Sequence, residues 1–301
     1  MIKPWLMLPS SVGHKLSPYF FKVYGKTHPY KTYSWNPFSW RGIEFTNPLG
    51  IAGGFDKNAT LIEDLWTLGV GLVEVGTVTP QFQKENPGKN LARDNDRRAL
   101  WNQLGFPSDG ASAVKKRLLQ LKRPHFTPIF VNIGKNRDTP MERACDDYTK
   151  LVHTFADVAD AFVINISSPN TPNLRSLLSP EKLPDFLSVI VEENRDASIG
   201  QPIPVLLKLS PDMKPDDLKK ILDVSLKAGI DGWILTNTTL AREPGMAFPN
   251  TGGVSGLPLR EQSKKMLAET VQHLGRDKND KLLVSVGGIM SPEDVFERLQ
   301  I

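Results

Sequence analysis

This sequence predicts an α/β fold: a (β/α)8 barrel of the TIM type that lacks most of its last βα unit in this chain, behind a short N-terminal helical segment. Three observations carry that expectation. Short, nearly continuous apolar runs recur from residue 49 onward, as parallel strands covered on both faces require. Longer amphipathic stretches alternate with them, the pattern of right-handed βαβ crossovers. Polar residues mark nearly every strand end rather than one crevice, and no Gly-x-Gly-x-x-Gly follows the first strand, so an open dinucleotide-binding sheet is disfavoured.

In chain order, residues 1–40 form a first unit. Pro4-Trp5-Leu6-Met7-Leu8-Pro9 is apolar and proline-bounded. Residues 10–16 and 18–24 read as one or two short helices with an apolar face, and Gly25 as their stop. Tyr19, Phe20, Phe21 and Tyr24 suit either an interfacial, membrane-touching cap or a helix packed over the barrel bottom. Residues 41–301 form the barrel. Its strands are expected at 49–53, 70–75, 128–133, 162–166, 205–209, 232–235 and 282–286. Helical patterns cover 111–121, 146–159, 180–193, 214–228 and 259–274, and Pro292–Ile301 begins another. A closed barrel needs eight strands. The seven visible here imply an incomplete cylinder with two exposed sheet edges.

Composition narrows the function classes. The net charge of +4 is mild, and the basic residues are scattered, with short clusters such as Arg97-Arg98 and no aromatic-interleaved stripe. Nucleic acid is therefore not an expected partner. The single cysteine, Cys145, rules out an internal disulfide framework or a Cys-rich metal site, and a structural thiol in a reducing compartment is the expectation. No apolar run approaches the roughly 20 residues that span a bilayer, and no secretory leader is evident.

The strand ends carry the chemistry. They bring Gly53-Gly54-Phe55-Asp56-Lys57, Gly76-Thr77, Asn132, Asn165, Ser168, Lys208, Thr236-Asn237-Thr238 and Gly287-Gly288 to one mouth. No metal-ligand spacing and no carboxylate pair joins them, which excludes zinc hydrolysis and most carboxylate acid/base chemistry. Amide side chains match the imide and carbonyl edges of a planar heterocycle. A lysine at the carbonyl end of a ring stabilises negative charge that develops on reduction. Glycine pairs admit a ring or phosphate close to the backbone. A flavin with a small polar substrate fits all three.

Several motifs together resemble the dihydroorotate dehydrogenase family. They are residues 47–57 (NPLGIAGGFDK), 74–80 (EVGTVTP), 102–106 (NQLGF), 132–136 (NIGKN), 165–172 (NISSPNTP), 236–239 (TNTT), 251–256 (TGGVSG) and 286–289 (VGGI). Ser168 stands where the quinone-dependent class 2 enzymes have serine and the soluble class 1 enzymes have cysteine. With the N-terminal segment, that points to class 2. The resemblance implies oxidation of dihydroorotate to orotate with FMN as hydride acceptor and ubiquinone or menaquinone as terminal acceptor, in de novo pyrimidine (UMP) synthesis.

It also implies roles. Ser168 removes the C5 proton while hydride leaves C6 for the flavin, and serine needs a proton relay to act as a base near neutrality; Thr171 is the candidate to hold a water for it. Lys57, Asn102, Asn165, Asn170, Asn237 and Thr238 hold the pyrimidine, with Gln103, Leu104, Gly105 and Phe106 beside it. Gly53, Gly54, Phe55, Asp56, Lys57, Thr77, Asn132, Asn165, Lys208, Thr236, Gly256 and Gly288 shape the FMN pocket, and 168–173 is a candidate lid. His14 and Arg93 occupy the quinone head-group positions, and residues 1–40 form a peripheral anchor on the cytoplasmic face of a bacterial-type inner membrane. Three departures from the pattern stand out: the Tyr-Ser phosphate turn after the last strand is not in the chain, the N-terminal unit is compact, and residues 90–98 are unusually polar. Two alternatives stay open: a soluble class 1-like dehydrogenase, and an inactive membrane-associated binding protein.

Overall fold

The computed structural model describes residues 7–122 and 127–301, so Pro4–Leu6 of the apolar lead-in lie outside the described residues. Among the described residues before the barrel, the segment expected as one or two short helices is one continuous helix, α1 (Ser10–Thr27). Gly25 does not stop it. That glycine lies where a side chain would run into Asp64, so it lets α1 pack closely on α2 (Ile62–Trp66), a short helix the pattern missed. Pro18 sits inside α1 and cannot donate to the His14 carbonyl. The Ser17 hydroxyl takes that carbonyl at 2.9 Å, and the helix continues.

A hairpin follows, β1 (Phe38–Trp40) and β2 (Ile43–Phe45). Arg41 and Gly42, with φ of 47° and 78°, make the tight turn between them. The chain then builds β3 (Gly50–Asp56) and β4 (Leu72–Val78), a small hairpin of β5 (Leu91–Asp94) and β6 (Ala99–Asn102), and β7 (Ile129–Ile133). Next come β8 (Ala161–Asn165), β9 (Val205–Lys208), β10 (Gly232–Leu235), β11 (Gly253–Gly256) and β12 (Leu282–Ser285). Seven of these strands form one curled sheet in the order β12-β10-β9-β8-β7-β4-β3, parallel throughout. The helices α3 (Ala111–Leu119), α4 (Ala144–Phe155), α5 (Leu183–Ala197), α6 (Pro215–Lys227), α7 (Arg260–Leu274) and α8 (Pro292–Leu299) surround it. The fold is thus the expected barrel type, with β3 and β12 as its two edges. A cavity of about 710 Å³ between those edges is lined by Phe38, Phe45, Leu72, Leu282 and Val284 among others.

Strand alternation sorts the side chains. One set packs against the helices, including Val131, Phe162, Ile164 and Leu207 against Leu151, Phe155, Leu187 and Leu222. The other set points inward in two layers. The lower layer is apolar: Leu72, Phe130, Val163, Leu206 and Ile234 pack with Trp40 and Phe45, so the hairpin plugs the bottom of the barrel. Two residues further along each strand stand Glu74, Asn132, Asn165, Lys208 and Thr236, a polar upper layer. Register fixes their levels, with Asn165 opposite Lys208 across β8 and β9.

The polar stretch 90–98 has a structural reason. It is the β5–β6 hairpin, which pairs with β11 in a separate three-stranded sheet. Its turn is held by Arg97, which bonds Asp94 at 3.0 Å.

Candidate active site

The polar layer opens on a cavity of about 660 Å³, within the range of about 300–1,000 Å³ in which small molecules bind. Gly53, Gly54, Phe55, Asp56 and Lys57 line it from the β3 end, and Thr77 from β4. Asn102, Leu104 and Phe106 contribute from β6 and the loop after it. Asn132, Asn165, Ser168 and Asn170 face it from β7 and β8, and Lys208, Thr236, Asn237 and Thr238 from β9 and β10. His14 of α1 stands at its rim.

Five residues expected to bind substrate, cofactor or quinone lie outside this lining, as does Thr171. The Gln103 side chain accepts from the Thr251 hydroxyl at 3.2 Å, and the Gly105 carbonyl accepts from Gln83 at 2.9 Å. Gly256, at φ 93°, packs on the Arg98 carbonyl. Gly288 lines the cavity between the sheet edges, while its neighbour Gly287 reaches both cavities. Arg93 donates to the Leu8 carbonyl at 2.7 Å and ties β5 to the residues before α1.

The deep wall is a closed hydrogen-bond network. Asn132 Nδ2 donates to Glu74 Oε1 at 2.5 Å and Lys208 Nζ to the same oxygen at 2.9 Å. The Gly53 N–H donates to Glu74 Oε2 at 2.8 Å. Asn165 Nδ2 donates to Thr77 Oγ1 at 2.8 Å and to Asn132 Oδ1 at 3.3 Å. Asn165 Oδ1 accepts from Ser167 at 3.3 Å and from Asn237 at 3.2 Å. Every polar atom of the Asn132 and Asn165 amides is therefore used, which fixes both planes.

The loop above is built differently. Ser168 is 4% exposed, and its Oγ accepts from the Asn170 N–H at 3.2 Å. Asn170 Nδ2 donates to Asn102 Oδ1 at 3.0 Å, yet Asn170 Oδ1 is buried with no partner among the described residues. The Thr171 hydroxyl is in the same condition. Arg175 closes the base of the loop: its Nε donates to the Ser167 carbonyl at 2.9 Å and its Nη1 to Asp212 at 3.0 Å. Asp212 in turn accepts from the Thr239 hydroxyl at 2.5 Å and the Leu240 N–H at 2.9 Å. Three strand-end loops are thereby fastened together.

Two ionisable groups at the rim are perturbed. Burial lowers the Lys57 ammonium from the ordinary lysine value, opposed by Asp56 and Glu85. Partial burial and then Lys57 lower His14, opposed by Glu85. Asp56 lines the cavity, but its carboxylate accepts from the Thr60 and Leu61 N–H groups at 3.0 and 2.8 Å and holds the turn into α2. Sequence reasoning assigned no role to Glu74, Ser167, Arg175 or Asp212. Glu74 did carry a signal, as an acid inside the otherwise apolar run Leu72-Val73-Glu74-Val75. Among the described residues no group of three or more His, Cys, Asp or Glu could hold a metal ion.

A family profile described as dihydroorotate dehydrogenase matches residues 38–301. This chain belongs to the dihydroorotate dehydrogenase family. Its relatives include a protein of a Roseiflexus species named dihydroorotate dehydrogenase (quinone), 42% identical over 87% of this chain and 71% of the relative. A Thermus thermophilus protein of the same name is 42% identical over 86% of this chain and 72% of its own. A crystal structure of the dihydroorotate dehydrogenase of Eimeria tenella with ferulenol matches at a TM-score of 0.85 and 30% identity, over 96% of this chain and 83% of that one. The ligand-free enzyme of that organism matches at 0.84 and 31%, over 95% and 86%. Within the family the chain is of the quinone-dependent class 2, as Ser168 implied, and it is an oxidoreductase of a flavin-dependent family.

Proposed function

We propose that this chain oxidises dihydroorotate to orotate with FMN and passes the electrons to a membrane quinone, ubiquinone or menaquinone, in de novo pyrimidine synthesis. One observation carries the reading: beside Ser168, a fully bonded amide wall meets an unpaired, buried amide acceptor, Asn170 Oδ1, on one cavity. An acceptor left in that state is costly unless a ligand donor completes it, and a pyrimidine imide N–H is such a donor.

The residues present fit FMN. Gly53 leaves bare backbone against the wall, where a side chain would collide with Glu74, and Lys208 and Asn132 offer a cation and an amide at one level. FMN when bound supplies the hydride acceptor. The chain does the rest. Ser168 Oγ takes the C5 proton, and the Thr171 hydroxyl, three residues on, relays it towards solvent. Asn102, Asn170 and Asn237 hold the pyrimidine amides with Thr238 beside them, and Lys57 meets the carboxylate. Lys208 would stabilise the negative charge that develops on the flavin. The 168–173 loop excludes water while the proton moves.

On the quinone side, His14 stands at the cavity rim, and the Arg93 guanidinium lies near Gly13, next to His14 on α1. The outer face of α1 exposes Val12, Tyr19, Phe20 and Val23, at 41, 68, 59 and 62%. Lys15, Lys22 and Lys26 stand among them, a composition suited to an anionic lipid surface. No described helix is long and apolar enough to cross a membrane. Peripheral attachment to the cytoplasmic face of a bacterial-type inner membrane follows from this reading.

The test is done in one cuvette. Purified protein loaded with FMN is mixed anaerobically with dihydroorotate, and a soluble quinone is then added. The flavin absorbance should bleach and then return. Flavin that binds but does not bleach would leave an inactive binding protein as the better reading, and reoxidation by fumarate or NAD alone would favour a class 1-like acceptor.

A further inference from the structure

Glu74 is 2% exposed, and no other acid stands in the polar layer. It lines the cavity between the sheet edges, whereas the three groups it holds, Gly53, Asn132 and Lys208, line the active-site cavity. All three are donors: the Gly53 N–H at 2.8 Å, the Asn132 amide at 2.5 Å and the Lys208 ammonium at 2.9 Å. A buried carboxylate rarely survives without such partners, so each side of this arrangement requires the other.

We propose that Glu74 is the positioning residue of the flavin end of the site. It presets the Lys208 ammonium, the Asn132 amide and the Gly53 N–H as one array and supplies the counter-charge to the buried lysine. This deepens the FMN reading above and rests on it. A glutamine in this place has a single acceptor oxygen and would set an NH2 group against at least one of the three donors. It would also leave the buried lysine with no counter-charge.

Few other charges face this pair. On β3, the Asp56 carboxylate is taken up by the turn at Thr60 and Leu61, and Lys57 is bonded to the Gly54 carbonyl. β7, β8, β10 and β12 carry no ionisable side chain. Arg298 also lines the cavity between the sheet edges, held by Ser285, Ser263 and the Gly287 carbonyl.

The experiment measures FMN dissociation by quenching of flavin fluorescence, with the thermal stability of each variant beside it. The wild type, Glu74→Gln, Glu74→Asp, Lys208→Met and the double variant Glu74→Gln/Lys208→Met are compared. Glu74→Gln and Lys208→Met should each weaken FMN by roughly tenfold or more, and the double variant should lose clearly less than the two losses combined, because Glu74 acts through Lys208. Glu74→Asp keeps the charge but is one methylene shorter, so it should bind several-fold more weakly than wild type and more tightly than Glu74→Gln. Wild-type affinity in Glu74→Gln, or losses that simply add in the double variant, would overturn the proposal. If Glu74→Gln does not fold, Glu74→Asp decides: wild-type affinity overturns the proposal, and weaker binding at unchanged thermal stability supports it. Wild type that fails to bind FMN would overturn the FMN reading itself.

Discussion

The deep wall of the cavity and the loop above it are made of similar residues in opposite states. On the wall, Asn132 and Asn165 spend every amide atom on protein partners, and Glu74 and Lys208 neutralise each other. On the loop, Asn170 and Thr171 each keep a buried oxygen with no partner among the described residues. A wall already bonded needs no rearrangement when a ring lies against it, the condition for electrostatic preorganisation. Buried groups without a protein partner gain most from a ligand that completes them. The wall thus reads as the cofactor side and the loop as the substrate side.

The largest effect expected on this division comes from Ser168→Ala. Without the base, flavin reduction should slow by about 10²–10⁴-fold while FMN affinity stays at the wild-type level. Rapid-mixing absorbance and fluorescence quenching read the two quantities separately, and an unchanged reduction rate would remove Ser168 from its role.

A pair of alanine variants tests the wall against the loop. Asn170→Ala should raise the KM for dihydroorotate by roughly 10–100-fold with little change in thermal stability. Asn165→Ala leaves the buried Thr77 hydroxyl oxygen and Asn132 amide oxygen without their donor, which costs about 1–3 kcal/mol in stability and also weakens FMN. If the two variants exchanged these phenotypes, the division would be wrong.

A smaller, pH-dependent effect belongs to Lys57. Burial lowers its pKa, so the charged form is lost at a lower pH than for an ordinary lysine. Only the ammonium attracts a carboxylate. Dihydroorotate affinity should therefore hold on the acid side and fall as pH rises through that lowered value; Lys57→Met should flatten the curve. Binding that strengthens with rising pH would contradict the assignment.

The smallest effect is expected at the base of the loop. Arg175→Lys cannot reach both the Ser167 carbonyl and Asp212 with the fork an arginine provides. A loss of a few-fold in kcat, with KM nearly constant, would mark Arg175 as a residue that positions Ser168. A change confined to KM would assign it to substrate binding instead.

How far these features could be read from the sequence depended on how local their causes are. The seven strands and the six surrounding helices appear within a few residues of their expected bounds, because burial on both faces and the helical period write themselves into short stretches. The gathering of Gly53, Asn132, Asn165, Lys208 and Thr236 at one mouth followed from the parallel topology alone. The β5–β6–β11 sheet was missed because its strands are short and none of β5 is fully buried, so no apolar run announces them. Gly25 was misread because its reason is a neighbour, Asp64, 39 positions along the chain. The Arg175–Asp212 tie joins loops from different strands and leaves no periodic trace. Glu74 was legible in principle: two positions beyond Leu72 on the same face, it belongs to the layer that Asn132 and Lys208 define.

A crystal structure with FMN and orotate bound tests the central claim most directly. Orotate should lie against Asn102 and Asn170, bonded to Asn170 Oδ1, with Ser168 Oγ on one face, and the isoalloxazine should rest against Gly53, Asn132 and Lys208. Either ligand seated instead in the cavity between β3 and β12, or a flavin without contact to Lys208, would contradict the account.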